Sequence, residues 1–306
     1  MKNQSRLKRT ALDILIIAMA VLPFILCIAL KVLTDVPSDD IDITGAKIYF
    51  TIPMPIQDLP ITEAQVTSAA VVISLFWICI FLTRNLKVRP DSKRQLVAEW
   101  VVEKVDSLVK ENMGERFAGF APFIAAVMGL SALSSFSSLL GLFPPTSDMN
   151  IVAGWAILVF ILITYYKMKC GPLVYIKSFA EPVAFLAPMN VISEFATPVS
   201  MAFRHYGNIL SGSVISVLVA AGLKGLSAKI FGALPGVFGT IPYLRVGLPA
   251  VLSIYFDIFS GALQAFIFAM LTMLYVSSGF PADEYEKRLQ KKREKSAAKA
   301  EKQVKA

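Results

Sequence analysis

The chain has 306 residues, of which 56% are hydrophobic and only 17% charged, and its mean hydropathy is +0.63. Soluble domains carry about a quarter charged residues, so this composition excludes an ordinary soluble fold. The net charge of +8 is no nucleic-acid footprint either, because it is gathered into short segments between long apolar runs.

In chain order, uncharged runs of spanning length are Ile14–Leu30, Ala64–Thr83, Phe117–Ser147 and Met149–Tyr166; a crossing needs about 20 residues. Two longer apolar stretches follow, interrupted by Arg204 and by Asp257. Basic residues cluster in Lys2–Arg9, Arg84–Arg116, Lys167–Lys177 and Lys287–Lys305, which hold 24 of the 30 Lys and Arg. The intervening loops are poor in them: Val36–Glu63 has Lys47 alone beside Asp39, Asp40, Asp42 and Asp58, Pro144–Asn150 has none, and Lys224–Gly247 has three. The positive-inside rule then predicts six crossings with both termini cytoplasmic. The first run has a basic start like a secretory signal, but Lys31, Val32 and Leu33 follow Ala29 where a small-residue cleavage site belongs, so a retained helix is expected.

The predicted fold class is all-α, a polytopic membrane protein of about six membrane helices. Its expected segments are an N-terminal membrane helix over residues 1–33, an outside loop over 34–63 and a membrane helix over 64–84. A cytoplasmic amphipathic helix follows over 85–118, further membrane helices over 119–282, and a basic cytoplasmic tail over 283–306. Pro53, Pro55 and Pro60 forbid a long helix in the outside loop. Between Asp91 and Met113, Val97, Val101, Val105, Leu108 and Val109 fall at helical spacing among charged residues, an apolar face for either lipid or protein. The segment from Pro122 to Phe143 carries five serines that permit close helix contact, and Pro144-Pro145 ends it. From Asn190 to Gly222 there are 33 residues, about 50 Å of helix against a hydrocarbon core of about 30 Å. That helix must tilt steeply. The stretch Gly247–Ser278 is similarly long, so the two predict a long, steeply tilted C-terminal hairpin.

Within Ser193–Gly222, Arg204 is the only fixed charge besides Glu194. Its guanidinium keeps its proton, and bilayer depth costs it about 2.5–3.5 kcal/mol on insertion scales. Such a residue reads as part of an ion pathway or as a charge partner. Asn208 and Ser211, at i+4 and i+7, share its face, and Gly207 and Gly212 flank it. The last helix has its own polar stripe of Asp257, Ser260, Gly261 and Gln264 at i, i+3, i+4 and i+7. If the helices are antiparallel with Gln264 level with Arg204, Asp257 lies about 10 Å and Ser213 about 13 Å toward the outside. A titratable acid outside a permanent cation describes an ion inlet that stops at a barrier. His205, the only histidine, points about 100° from Arg204 and reads as either packing or a proton carrier. Glu194 reads as either a cytoplasmic-side pathway residue or the solvated end of the helix.

Nothing in the chain matches a phosphate loop, a Cys/His metal spacing or a Ser–His–Asp set, so no enzyme activity and no cofactor or metal are expected. Cys27, Cys79 and Cys170 fit neither a disulfide framework nor a metal site.

Pro198-Val-Ser-Met-Ala-Phe-Arg204-His-Tyr-Gly-Asn208 resembles the arginine helix of the ATP synthase subunit a family, the membrane stator of F-type ATP synthases. Further pieces fall in the family's order: Thr51-Ile-Pro-Met-Pro, Lys93-Arg-Gln95 before Glu99-Trp100, Leu140-Gly-Leu-Phe-Pro144, Pro145-Thr-Ser-Asp-Met-Asn150 and Leu263-Gln264-Ala-Phe-Ile-Phe268. The resemblance spans roughly residues 48–280 and leaves residues 1–33 as an extra helix. It implies a bacterial cell membrane location, with rotating c-ring subunits, b-type peripheral stalk subunits and the lipid bilayer as partners. It also implies H⁺ or Na⁺ as the carried ion, and Arg204, Asn208, Asp257, Gln264, Ser213, Glu194 and His205 as residues of the ion pathway. The chain departs from the family's pattern at His205, where Leu is usual, at Ser213, where many relatives have Glu, and at Asp257, where those relatives have His. The expectation is that Asp257 takes the outer half-channel role. The competing reading is a stand-alone secondary transporter with Arg204 holding an anionic substrate. It calls for repeats and broken helices, and the sequence shows no repeat.

Overall fold

The computed structural model describes residues 2–34, 45–55, 57–88, 92–169, 171–180, 184–232, 243–281, 285 and 290. The basic tail from Lys291 on, the acids Asp39, Asp40 and Asp42, and Cys170 lie outside them. Among the described residues, six helices are long and apolar enough to cross a membrane: Thr10–Thr34, Glu63–Thr83, Glu115–Leu140, Met149–Met168, Ala187–Phe231 and Val251–Gly279. The chain is thus the polytopic helical protein that its hydropathy predicts.

Helix α1 (Lys2–Thr34) and α2 (Glu63–Thr83) form an antiparallel pair. Their apolar seam holds Cys27 and Ala70, with Phe24, Ile28 and Val66 packed against it. Ion pairs close both ends. Lys31 at the end of α1 meets Glu63 at the start of α2 at 3.1 Å. Asp13 near the start of α1 meets Arg84, just past α2, at 3.2 Å. Between the helices, the expected irregular loop contains a β-hairpin, β1 (Ile48–Ile52) against β2 (Leu59–Thr62), with Thr51 opposite Pro60. A two-stranded ribbon has an unpaired side along each strand, so a proline without an N–H is tolerated there.

Helix α3 (Lys93–Met113) starts at Ser92, whose hydroxyl accepts the Gln95 N–H, and stops at Gly114, where φ is +82°. Glycine takes that backbone at no steric cost. The expected single apolar stripe is divided. Val109 is fully buried with Gln95 and Met113, whereas Val97, Trp100 and Val101 are exposed. Packing on protein therefore claims only the C-terminal half of that stripe.

A short 3-10 turn (Glu115–Phe120) leads into α4 (Ala121–Phe136). The α-helix stops before the expected Phe143, tightening to a 3-10 turn over Ser137–Leu140 and ending at left-handed Gly141. Ser137 and Ser138 donate their hydroxyls to the carbonyls of Ser134 and Ser135. Such back-bonding offers the backbone an alternative to the helical ladder. Helix α5 (Met149–Met168) and the short α6 (Pro172–Phe179) follow.

Helix α7 (Ala187–Phe231) runs for 45 residues, longer than the expected stretch at both ends. At 1.5 Å per residue that is about 67 Å, more than twice the hydrocarbon thickness. The last apolar stretch is divided into α8 (Tyr243–Ser253), a π-helical segment (Ile254–Ser260) and α9 (Gly261–Gly279). The chain separates into two compact units, Met1–Val152 with Phe203–Ala269 and Ala153–Ala202 with Met270–Ala306.

Candidate functional site

In the first unit, α7 and α9 run antiparallel, as successive contacts record. His205 meets Phe268, Asn208 meets Gln264, and Gly212 meets Phe256. Two glycines permit the close approach. A Cβ added at Gly212 would lie 2.8 Å from the Phe256 ring, and one at Gly261 would lie 2.7 Å from the Ser135 Cβ on α4. The small, fully buried Ser131, Ser134 and Ser135 make α4 the floor of this arrangement. Small residues of this kind let helix backbones pack tightly in a membrane.

Arg204 stands on the open face of α7, exposed together with Phe203 and Ser211. Among the described residues it forms no ion pair and no hydrogen bond. One turn on, Asn208 Nδ2 donates to Gln264 Oε1 at 3.3 Å. Gln264 is thus held one turn beyond the level that places it opposite Arg204, and it is almost fully buried. Ser211 and Ser213 are exposed, and each donates its hydroxyl to a carbonyl of its own helix, at Asn208 and Leu210.

Asp257 lies half-buried in the π-helical segment beside Phe256, which rests against Gly212, the neighbour of Ser213. The Ser253 hydroxyl donates to its Oδ2. A π-helical segment inserts extra backbone per turn and is frequent at functional sites. Neither this distortion nor Ser253 has a signature in residue spacing, and the sequence alone does not reveal them. His205 is fully buried, about 100° around α7 from Arg204. Its Nε2 lies 3.3 Å from the Ser131 hydroxyl, and its ring stands edge-on to Phe268.

In the second unit, Glu194 is held by Lys167, whose ammonium donates to both carboxylate oxygens at 2.6 and 2.8 Å. The Glu194 side chain is only 13% exposed, which overturns the solvated helix end as a description of it. The pair lines a small cavity of about 50 Å³ with Thr197, Tyr275 and Ser278. Nearby, burial and then the Glu194 charge push the Tyr175 phenol above its ordinary value. Both act in that sense because each disfavours the phenolate.

Among the described residues, no cluster of His, Cys, Asp and Glu has the makings of a metal centre. What the arrangement offers is a permanent cation facing outward at the middle of a long apolar helix. Polar groups lead along the same helix pair to a titratable acid, and a second acid stands neutralised by a lysine in the other unit.

Residues 65–277 match the family model described as ATP synthase A chain. The ATP synthase subunit a of Priestia megaterium is 35% identical over 230 residues, covering 72% of this chain and 91% of that relative. The subunit a of Macrococcus caseolyticus is 32% identical over 79% of this chain and 95% of its own length. That of Bacillus subtilis is 34% identical over 70% and 88%. All of α1 precedes the residues matched by the family model.

Proposed function

Because the chain belongs to the ATP synthase subunit a family, we propose that it is the stator of an F-type ATP synthase membrane sector, passing H⁺ or Na⁺ through two half-channels to and from a rotating c-ring. The observation that carries this reading is Arg204, which is exposed on α7 and has no carboxylate partner among the described residues. A lone guanidinium at bilayer depth is costly, and a carboxylate supplied by another polypeptide offsets that cost. A c-ring carboxylate approaching Arg204 has its ionised form favoured and its pKa lowered, so it releases its ion there. Because Arg204 cannot lose its proton, it cannot relay one between the two sides, and the half-channels stay separate.

Each residue then has a role. Asp257, which accepts the Ser253 hydroxyl, and Ser213 form the outer half-channel. Asn208 solvates the ring carboxylate as it passes the barrier, and the buried Gln264 braces Asn208 from behind. Glu194, neutralised by Lys167, stands on the inner half-channel. The ATP chemistry lies on other subunits, and b-type stalk subunits hold the chain against rotation. The location is a bacterial cell membrane, with both termini cytoplasmic.

The test is Arg204→Ala in the assembled complex, read by ATP synthesis in membrane vesicles under an imposed ion gradient. Synthesis is expected to disappear while the chain still co-purifies with the c-ring. Retained synthesis would overturn the proposal.

A further inference from the structure

His205 follows Arg204 directly yet faces the protein interior. Neighbouring side chains on a helix are about 100° apart, and here that separates an exposed guanidinium from a fully buried imidazole. Adjacent turns of α7 make directional contacts to two different helices. His205 Nε2 lies 3.3 Å from Ser131 Oγ on α4, and Asn208 Nδ2 donates to Gln264 Oε1 on α9. The imidazole is also set against Phe268, with ring centroids 5.5 Å apart and planes at 87°. The same buried face also carries Met201, Ala202, Ile209 and Gly212.

We propose that His205 is the positioning residue that fixes the rotation of α7 about its axis, and so the direction in which Arg204 points. The proposal rests on the reading of Arg204 as the barrier residue. Apolar contact is non-directional, so Met201, Ala202 and Ile209 select no single rotation. The close approach of Phe256 at Gly212 is a steric stop about two turns away from Arg204. A buried polar contact resists turning, because displacing it strands desolvated polar groups. Registry is the best-attested use of such groups. A turn of one residue would carry Arg204 into the slot between Ser131 and Phe268 and point it away from any partner outside the chain. The contacts of His205 with Ser131 on α4 and of Asn208 with Gln264 on α9 hold α7 at two levels, which resists both rotation and sliding.

The test uses the assembled complex, with Cys27, Cys79 and Cys170 replaced by Ser and Ile209→Cys as a reporter of the buried face. His205→Leu, His205→Gln and Ser131→Ala are each read by ATP synthesis per assembled complex, ion leak, and reaction of the reporter with N-ethylmaleimide. His205→Leu is expected to lower synthesis about fivefold, the equivalent of one hydrogen bond, and to make the protected reporter reactive. His205→Gln, which keeps a donor for Ser131, restores both readouts. Ser131→Ala reproduces the His205→Leu reactivity with a change too small to unfold the chain. A reporter equally protected in His205→Leu and Ser131→Ala overturns the inference. Retained synthesis in Arg204→Ala instead overturns the barrier reading, while the reporter still measures rotation independently.

Discussion

The α1–α2 pair and the α7–α9 pair treat charge in opposite ways. In the first, both acids among the described residues meet a base: Glu63 meets Lys31, and Asp13 meets both Arg84 and Arg94. Glu63 is buried and also accepts the Phe143 N–H, while Lys31 reaches the Gly141 carbonyl, so one ion pair ties the ends of three segments together. In the second, Arg204 meets no acid among the described residues, and Asp257 is met only by a serine hydroxyl. On the proposed reading, the difference separates Glu63 and Asp13, which hold the fold, from Arg204 and Asp257, which serve transport. Glu194 on α7 is paired with Lys167 and belongs to neither side of the comparison. A matched charge is satisfied within the chain, and an unmatched one at bilayer depth needs a partner from outside it. Substitutions should therefore divide the two classes, with transport charges costing activity at normal assembly and structural charges costing assembly at normal activity.

The largest effect after loss of Arg204 is expected from Asp257→Asn. The amide keeps the shape and the hydrogen bond from Ser253 but cannot exchange a proton. Gradient-driven ATP synthesis should fall by about a hundredfold, the lower end of what a positioned acid or base contributes, while the chain assembles normally. Near-normal synthesis would place Asp257 with the structural charges and return the outer half-channel role to other groups.

A smaller effect of the opposite kind is expected from Glu63→Gln. The amide oxygen still accepts from Phe143, but the charge-assisted contact with Lys31 is lost, a change of about 2 kcal/mol. Thermal dissociation of the subunit from the purified complex should begin several degrees lower, with synthesis per assembled complex unchanged. Loss of synthesis at unchanged thermal stability would instead move Glu63 into the transport class and erase the contrast.

How far this was legible in the sequence depends on whether a feature repeats. The spans follow from runs of apolar residues, and the stripe of Arg204, Asn208 and Ser211 follows from helical period. The stripe of Asp257, Ser260 and Gln264 is read the same way, although it passes through a π-helical segment that its spacing does not betray. The orientation of His205 toward Ser131 joins residues 74 apart, and a single side chain has no periodicity to announce it. The ion pairs of α1 join residues 71 apart in the case of Asp13 and Arg84 and are equally silent. The split of α3 was illegible for a different reason: Val97 and Val109 have the same chemistry, and only the neighbouring helices decide which is covered.

The smallest effect, and the finest test of the contrast, is Asp13→Asn. Its carboxylate faces two guanidinium groups, Arg84 at 3.2 Å and Arg94 at 3.5 Å, yet its side chain is 37% exposed. Water already screens such a group, so each contact contributes about 0.5 kcal/mol. Arg94 keeps a further anchor, because its guanidinium also donates to the Arg84 carbonyl. The substitution should therefore leave synthesis and leak unchanged and lower thermal stability by no more than about 1 kcal/mol. Raising the salt concentration should shrink the difference between the two proteins, since exposed pairs are screened and buried ones much less so. A loss as large as that of Glu63→Gln, insensitive to salt, would mean that the end of α1 at Asp13 is as tightly held as the end at Lys31.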